Sequence, residues 1–472
     1  MQSWHYVFKN TRVGIIDIRS LCLIISSIFI FCFSLVYYFL SDLCLGGLLA
    51  ISGLTLSSIF HISFIVGFDG LSFVMLGLTV FLFPICFLIS WEVIAYKRSF
   101  FYILLIILEL LLIYVFLVLD LFIFYSIFEF ILLPLFLMIG IYGKRAQKIG
   151  AAYKLFYYTL LGSSFMFISL IYLLVVGGDL NYFTLSNILD SLTINIRYYI
   201  WFSFFLAFLV KLPVMPFHLW LPEAHVEAPT TGSVLLAGVL LKMGGYGIFR
   251  FILPLFSHIT LYFVPLILTF GIISVIYASI VTIRQVDIKK IIAYSSVAHM
   301  GISLLGIFSG SLQGMQGSYF LMLSHGIISS GLFAGVGVIY DRYHTRLLNY
   351  YGGLVNFMPI LATLFFLLIL GNVSFPFTSS FIAEFLIFIG IFQINTFITL
   401  VALFSTLFGV IYSFWVYVRI FFGPVSEFIV SFSDVNDREF SYLFILVLMM
   451  LTLGICPNFV LQILYFPVLL LL

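Results

Sequence analysis

The sequence is poor in charge. Asp, Glu, Lys and Arg make up 8% of the 472 residues, whereas soluble domains contain about a quarter. Hydrophobic residues reach 64%, and the mean hydropathy is +1.27. This composition excludes a soluble globular enzyme, offers no basic surface for nucleic acid, and indicates an integral membrane protein surrounded by lipid.

Cysteine is scarce and scattered. The five cysteines form no CxxC pair and no other paired spacing, so a disulfide framework, a zinc site and an iron–sulfur cluster are not indicated. We therefore expect no redox centre in this chain. The five are Cys22, Cys32, Cys44, Cys86 and Cys456.

Long polar stretches are also missing, apart from residues 423–440. A crossing helix needs about 20 apolar residues, and the pattern predicts an all-α membrane fold of about 14 such helices. No clear cleavage site follows the first apolar run, so we expect the basic N-terminal residues to be a retained extension. The predicted spans are 21–41, 43–65, 69–92, 100–119, 121–142, 153–177, 198–220, 228–252, 257–281, 288–308, 317–340, 355–391, 394–422 and 441–470.

The basic residues favour one side of this arrangement. If the spans alternate, most loop lysines and arginines fall on one side, and by the positive-inside rule that side is cytoplasmic or matrix. The N-terminal Lys9, Arg12 and Arg19 fall on the opposite side with both termini.

Two spans are broken at corresponding places. Pro213 and Pro216 interrupt the seventh span, and the sequence GNVSFPFTSS interrupts the twelfth. Proline removes a helical hydrogen bond, and inside a membrane such a break persists only within protein or beside a hydrated cavity. Broken helices five spans apart predict two inverted five-helix repeats with a transport path between them.

Lys211 lies beside the first break. A lysine at the bilayer centre costs about 3 kcal/mol on insertion scales, so it is a functional candidate by default. Glu129, in the fifth span, has no other charge in its span, and we expect it to be the partner of Lys211. A pair that can form and separate suits a proton carrier; the alternative is a static structural ion pair.

Four further ionisable residues follow inside apolar spans. Lys242, His299, His325 and Glu384 occur in this order along the eighth, tenth, eleventh and twelfth spans. Histidine titrates near neutral pH, so the series predicts a proton relay. Alternatively, the histidines are hydrogen-bonded packing residues, and the glycines near Lys242 serve close helix contact.

Three other residues are weaker candidates. Glu109 lies in the middle of the fourth span and could couple to a neighbouring protein, while His218 and His225 suit proton uptake from a loop at the membrane surface. With Glu223 and Glu227 these histidines match no zinc spacing, so we expect no metal site. Asp120 marks a turn between spans.

The block at 211–250 resembles the antiporter-like membrane subunits of respiratory complex I, in particular the subunit 4 family that includes the bacterial M subunit. Its sequence is KLPVMPFHLWLPEAHVEAPTTGSVLLAGVLLKMGGYGIFR. The resemblance continues in RQVDIKKIIAYSSVAHMG, HGIISSGLF, FIAEF and FYSIFEFILLP. It covers about residues 69 to 423, and the ends of the chain carry no motif of this family.

The resemblance implies a subunit of proton-translocating NADH:ubiquinone oxidoreductase in the mitochondrial inner membrane. It implies Glu129 and Lys211 as the pair, Lys242, His299 and His325 as a hydrated axis, and Glu384 as the terminal group. FMN, iron–sulfur clusters and ubiquinone are expected in other subunits. The implied partners are lipids and the other membrane-arm chains, including the subunit 2-like and subunit 5-like ones.

The predicted organisation has three parts. Residues 1–68 form an N-terminal extension with two spans, 69–423 the proton-translocating core, and 424–472 the polar loop and last helix. Two other functions stay open. One is a Na⁺/H⁺ antiporter subunit of the Mrp type, and the other is a scaffold whose polar residues only hold helices together.

Overall fold

The computed structural model describes residues 18–40, 50–57, 62–94, 96–426 and 433–472. Within these ranges the chain is helical except for one β-hairpin and short connections. Eleven of the described helices are long and apolar enough to cross a membrane, and four shorter apolar helices accompany them. The predicted class of multi-pass helical membrane protein is confirmed, while the total of 14 spans stays a prediction.

The elements follow one another along the chain with short connections. Helix α10 is continuous but contains two π-helical turns, Leu236–Leu240 and Ile248–Ile252. The elements are α1 (Ile18–Leu40), β1 (Ala50–Ser57), β2 (Ile62–Phe68), α2 (Gly70–Val93), α3 (Arg98–Leu117), α4 (Leu121–Phe130), α5 (Leu132–Tyr142), α6 (Lys148–Gly177), α7 (Tyr182–Ser191), α8 (Ile194–Lys211), α9 (Trp220–Glu227), α10 (Thr230–Leu255), α11 (Ser257–Arg284), α12 (Ile288–Ile307), α13 (Leu312–Tyr343), α14 (Pro359–Asn372), α15 (Ser379–Ile394), α16 (Thr396–Phe421), α17 (Asp437–Ile455) and α18 (Asn458–Leu469).

Side-chain caps begin several helices. Asp120 accepts hydrogen bonds from the backbone of Phe122 and Ile123 at the start of α4, which confirms its position between two spans. Asn395 caps α16 in the same way. A cap satisfies backbone N–H groups that have no partner in the first turn.

The predicted second span, 43–65, is wrong over its described residues. Strands β1 and β2 pair there in antiparallel register, from Ala50 opposite Phe68 to Ser57 opposite Ile62. Hydropathy alone suggests a span, but five of the 14 residues in ISGLTLS and ISFIVGF are Ile, Val or Thr, and β-branched residues favour strands. Residues 1–17 and 41–49 lie outside the described ranges.

Because a hairpin replaces the predicted second span, α1 begins at the other face of the molecule from the one predicted. The guanidinium of Arg19 donates to the carbonyl of Trp91 at 3.1 Å and lies over its ring. Trp91 is at the end of α2 that Arg438 also reaches, through a 2.8 Å contact with Glu92. Arg19 therefore lies on the side rich in basic residues, hereafter the basic face, and its predicted location on the opposite face is wrong.

Both predicted breaks are confirmed. The seventh span consists of α8 and α9, separated at Leu212–Leu219, and the twelfth consists of α14 and α15, separated at Val373–Thr378. The breaks divide α3–α10 and α11–α16 into comparable sets of five spans. Because five is odd, the second set starts from the opposite face, as an inverted repeat requires.

Three helices form the centre of the molecule. In α10 and α13, every side chain of the apolar membrane-crossing segment is buried, and in α12 nearly every one is. These helices carry Lys242, His325 and His299 respectively. The sequence-predicted relay therefore lies in the core of the protein, away from lipid.

Candidate functional site: a buried lysine–histidine–glutamate axis

Lys211 ends α8 at the first helix break. Its side chain is 3% exposed, and Nζ lies 3.5 Å from the carbonyl oxygen of Phe128 and 4.2 Å from the centroid of that ring. The indole of Trp220, beyond the break, donates to the carbonyl of Val210 at 3.0 Å. This bond satisfies one of the acceptors at the end of α8.

Glu129 is next to Phe128 on α4 and faces Ser163 of α6 as well as Lys211. Its Oε1 atom is buried without a hydrogen-bond partner, and no ion pair within 4.0 Å joins it to Lys211 in the described part of the chain. The expected pair is thus open: Glu129 is near Lys211, but Lys211 contacts an aromatic face and a carbonyl instead.

Lys242 lies in α10 between the two π-helical turns and is fully buried. Its Nζ donates to the carbonyl of Ala237 and lies 3.0 Å from Nδ1 of His325. π-Helical turns occur often at functional sites, because they displace side chains from the regular helical register.

His299 contacts Glu384, the residue at the other end of the axis. Its Nδ1 is 3.1 Å from Oε1 of Glu384, which follows the second helix break on α15. The rings of His299 and His325 have centroids 5.5 Å apart, and the Nε2 atom of each is buried with no hydrogen-bond partner within the described ranges. The structure thus brings Lys242, His325, His299 and Glu384 together in one continuous series.

No described hydrogen bond or ion pair connects Lys211 with Lys242. Instead, their helices approach through Gly244, where a Cβ atom would lie 2.7 Å from the backbone nitrogen of Leu212 and 2.8 Å from the carbonyl oxygen of Phe208. Because these are backbone atoms, the approach requires glycine at this position. Close packing therefore explains Gly244, as predicted for the glycines near Lys242.

His218 and His225 are not in a surface loop, and that prediction is wrong. His225 belongs to α9, is fully buried and stacks on Phe333 at 4.6 Å, while His218 is 2% exposed and packs edge-on to Tyr277. All four of their ring nitrogens are buried, and none has a hydrogen-bond partner among the residues that the structure describes. The apolar LWLP sequence leads into α9, most of whose side chains are buried, which a count of polar residues does not reveal.

The two nearby carboxylates, Glu223 and Glu227, lie beside basic residues rather than beside the histidines. Glu223 pairs with Lys154 at 2.6 Å on an exposed surface, whereas Glu227 is buried 3.8 Å from Arg346. Burial is the largest cause of the lowered pKa of the Arg346 guanidinium, with Arg145 next. These residues therefore serve charge pairing at the basic face.

Glu109 is fully buried in α3, and neither of its carboxylate oxygens has a hydrogen-bond partner in the part of the chain that the structure describes. It is near Cys22 of α1 and Cys86 of α2. The chain's own helices cover this position, and coupling of Glu109 to a neighbouring protein stays a prediction.

Among the described residues, three buried cations were missed from the sequence: Lys289, Arg250 and Arg346, which are 3%, 4% and 3% exposed. Lys289, in the first turn of α12, is 3% exposed, and its Nζ donates to the carbonyl of Ala228 at 3.0 Å and to Ser233 Oγ at 3.3 Å. It lines a cavity of about 270 Å³ at the basic face. Because Lys289 and Lys290 are adjacent at a span end, the sequence indicates two surface lysines.

The chain is similar to proteins of known kind along most of its length. Residues 118–409 match the family described as NADH:quinone oxidoreductase/Mrp antiporter. The protein of Acanthamoeba castellanii named NADH-ubiquinone oxidoreductase chain 4 is 47% identical over 414 residues, covering 87% of this chain and 82% of that relative.

Solved structures share the fold. A chain of respiratory complex I from Thermus thermophilus with bound NADH superposes with a TM-score of 0.84 at 26% identity, covering 96% of this chain and 98% of that one. A chain of the Mrp complex from Dietzia sp. gives 0.85 at 18% identity, with coverages of 95% and 91%. At that identity the second likeness concerns the fold alone.

Proposed function

Because the chain belongs to the NADH:quinone oxidoreductase/Mrp antiporter family of membrane subunits, we propose that it is a proton-translocating membrane-arm subunit of NADH:ubiquinone oxidoreductase, of the chain 4 type. Family membership supports the assignment to this complex, and the buried axis supports the proton as the transported ion. The single observation that carries the proposal is the continuous series Lys242–His325–His299–Glu384.

The hydrogen-bond partners give this series a direction. A charged lysine can only donate, so Nδ1 of His325 accepts from Lys242, and the neutral ring carries its proton on Nε2. A carboxylate can only accept, so Nδ1 of His299 donates to Glu384 and leaves its Nε2 as an acceptor. The two unpaired Nε2 atoms thus have complementary character, a donor on His325 and an acceptor on His299.

Proton transfer then follows from these assignments. A proton passes from Lys242 to Nδ1 of His325, and the same ring releases the proton on Nε2 toward His299. His299 accepts at Nε2 and delivers its Nδ1 proton to Glu384. Each ring takes up and releases a proton on opposite nitrogens, which is why histidine suits a shuttle.

In this proposal, Lys211 and Glu129 control proton transfer along the axis. With the pair open, Lys211 is stabilised by the ring and carbonyl of Phe128. A charge change in a neighbouring subunit would draw Lys211 toward Glu129 or away from it, and the altered field would shift the protonation of Lys242. The driving redox chemistry takes place elsewhere, with FMN, iron–sulfur clusters and ubiquinone in other subunits.

The same proposal gives the location and the partners. Relatives named NADH-ubiquinone oxidoreductase chain 4 occur in eukaryotes such as Arabidopsis thaliana, with 46% identity over 433 residues. This supports a place in the mitochondrial inner membrane, among lipids and beside other antiporter-like chains of the subunit 2 and subunit 5 types. The basic face then lies toward the matrix.

The test is NADH-driven proton uptake by membranes that contain the assembled complex. Lys211→Ala removes the charge beside the helix break, and we expect proton uptake per NADH to fall while the complex still assembles. Lys154→Ala is the matched control, because Lys154 pairs with Glu223 on an exposed surface and should leave uptake unchanged. An assembled Lys211→Ala complex with normal uptake per NADH would refute the assignment and leave the chain as a scaffold.

A further inference from the structure

A buried ion pair joins α10 to α2 at the face opposite the basic face. Arg250 Nη1 lies 2.6 Å from Oδ2 of Asp69, and the two side chains are 5% and 12% exposed. Arg250 lies in the second π-helical turn of α10, eight residues after Lys242. We propose that Asp69 and Arg250 are positioning residues that fix the register of α10 and so hold Lys242 within reach of His325.

Asp69 is itself held firmly. Its Oδ1 atom accepts from the backbone N–H of Ser72 at 3.0 Å, and its own N–H donates to Ser72 Oγ at 2.8 Å, which is a complete capping box for α2. Both carboxylate oxygens therefore have a partner, one on α2 and one on α10. The start of α2 acts as the fixed side of the contact.

Short backbone pairings support this fixed side. The N–H of Leu119 donates to Ile65 of β2 at 2.9 Å, and the N–H of Tyr182 donates to Leu119 at 3.2 Å. The ring of Tyr182 lies 5.2 Å from the guanidinium carbon of Arg250. A series of contacts thus runs from the hairpin through the α3–α4 connection to the start of α7, whose Tyr182 packs against Arg250.

Helix α10 needs such an anchor. A π-helical turn holds one residue more than an α-helical turn, so converting one to the other slides the rest of the helix by about 1.5 Å and rotates it by about 100°. Such a shift is large compared with the 3.0 Å contact between Lys242 and His325. Glycines 244, 245 and 247 lie between Lys242 and Arg250 and place few side chains against the neighbouring helices.

The anchor is stronger than a surface pair. A buried pair resists separation because either charge alone would be left without solvent or partner. Nε and Nη2 of Arg250 have no hydrogen-bond partner among the described residues, so the contact with Asp69 is the main polar restraint that the described structure places on this guanidinium. This inference rests on the proposed function of Lys242 and adds a residue pair that controls its position.

The experiment measures protons taken up per NADH in assembled complex carrying the double substitution Asp69→Asn and Arg250→Gln, which leaves no lone buried charge. We expect a loss as large as that of Lys242→Ala, measured in parallel. Arg250→Lys keeps the opposite charges and should restore most of the uptake. The double substitution of Asp190→Asn and Arg197→Gln is the matched control, since Asp190 is 79% exposed and Arg197 29% exposed, and it should have no effect.

Full uptake per NADH in the assembled double variant would overturn the inference. If that variant fails to assemble, Asp69→Glu decides: it keeps both charges, but its longer side chain displaces Arg250, so uptake per NADH should fall, and full uptake would again overturn the inference. The Lys242→Ala variant distinguishes a failure of the proposed function from a failure of the positioning role. Full uptake in Lys242→Ala refutes the proposed function itself, whereas full uptake only in the Asp69 and Arg250 variants refutes the positioning role.

Discussion

The two central lysines are stabilised by neutral groups. Lys211 contacts a ring and a carbonyl, and Lys242 contacts a carbonyl and an imidazole. A carboxylate at contact distance would hold each lysine in its charged form, because an opposite charge favours ionisation. Neutral acceptors offset part of the cost of a buried ammonium without preventing the loss of its proton. This arrangement suits a lysine that carries protons better than one that only joins two helices.

Glu384→Gln tests the end of the axis. Glutamine keeps the size and the acceptor oxygen that faces His299, but it cannot take up or release a proton. We expect transfer through this group to slow about a hundredfold or more, seen as lower proton uptake per NADH with NADH oxidation by an artificial acceptor unchanged.

The matched control for that variant is Glu439→Gln. Glu439 is a mostly buried carboxylate that pairs with Arg342 at 2.6 Å on the basic face, away from the axis. It should lower thermal stability and leave uptake per NADH intact. Equal uptake in the Glu384 variant and the wild type would remove Glu384 from the path.

Sequence identified the axis residues because an ionisable group within an apolar span is rare. It also gave their order along the chain. The contact of Lys211 with Phe128 rather than with Glu129 could not be predicted, because it depends on side-chain directions across two helices. Lys289 was missed for a related reason: its burial arises from the α9–α10 connection, which folds over it.

At the scale of elements, proline identified the breaks and hydropathy located most helices. Pro213 and Pro216 mark the end of α8, and GNVSFPFTSS marks the gap between α14 and α15. Hydropathy failed at β1 and β2, because an apolar hairpin and an apolar helix have similar average hydropathy and differ in periodicity. It also treated 441–470 as one helix, whereas the structure divides this segment into α17 and α18 beside Pro457.

Trp220→Phe tests how the first break is held. The variant loses the 3.0 Å hydrogen bond to the carbonyl of Val210, and leaving that buried acceptor unpaired should cost about 1–3 kcal/mol. We expect a lower melting temperature of the complex and reduced uptake per NADH, since the carbonyl adjoins Lys211.

Trp201→Phe supplies the comparison for that experiment. Trp201 is also fully buried, but its indole nitrogen has no hydrogen-bond partner, so the variant loses volume without losing a hydrogen bond. A Trp220 variant no less stable than the Trp201 variant would show that the bond does not support the break.

At the scale of the whole molecule, charge divides into two separate systems, apart from the pairs Asp69–Arg250 and Asp190–Arg197 at the opposite face. Ion pairs such as Lys144–Asp341 and Arg342–Glu439 join neighbouring helices at the basic face, while the axis runs through the buried centre with few opposite charges in contact. The first system stabilises the arrangement of helices and follows the positive-inside rule. The second tolerates changes of protonation because the first does not depend on it.

This division predicts which ion is transported. Sodium requires several oxygen ligands around one position, as other hard cations do. The series from Lys242 to Glu384 instead has three side chains that offer nitrogen atoms and ends in a single carboxylate. In vesicles containing the complex, NADH-driven proton uptake should therefore be unchanged when sodium is replaced by potassium. Sodium-dependent proton exchange without NADH, abolished by Lys242→Ala, would instead assign the chain to the antiporter class, since the fold is common to both and only the transported ion separates them.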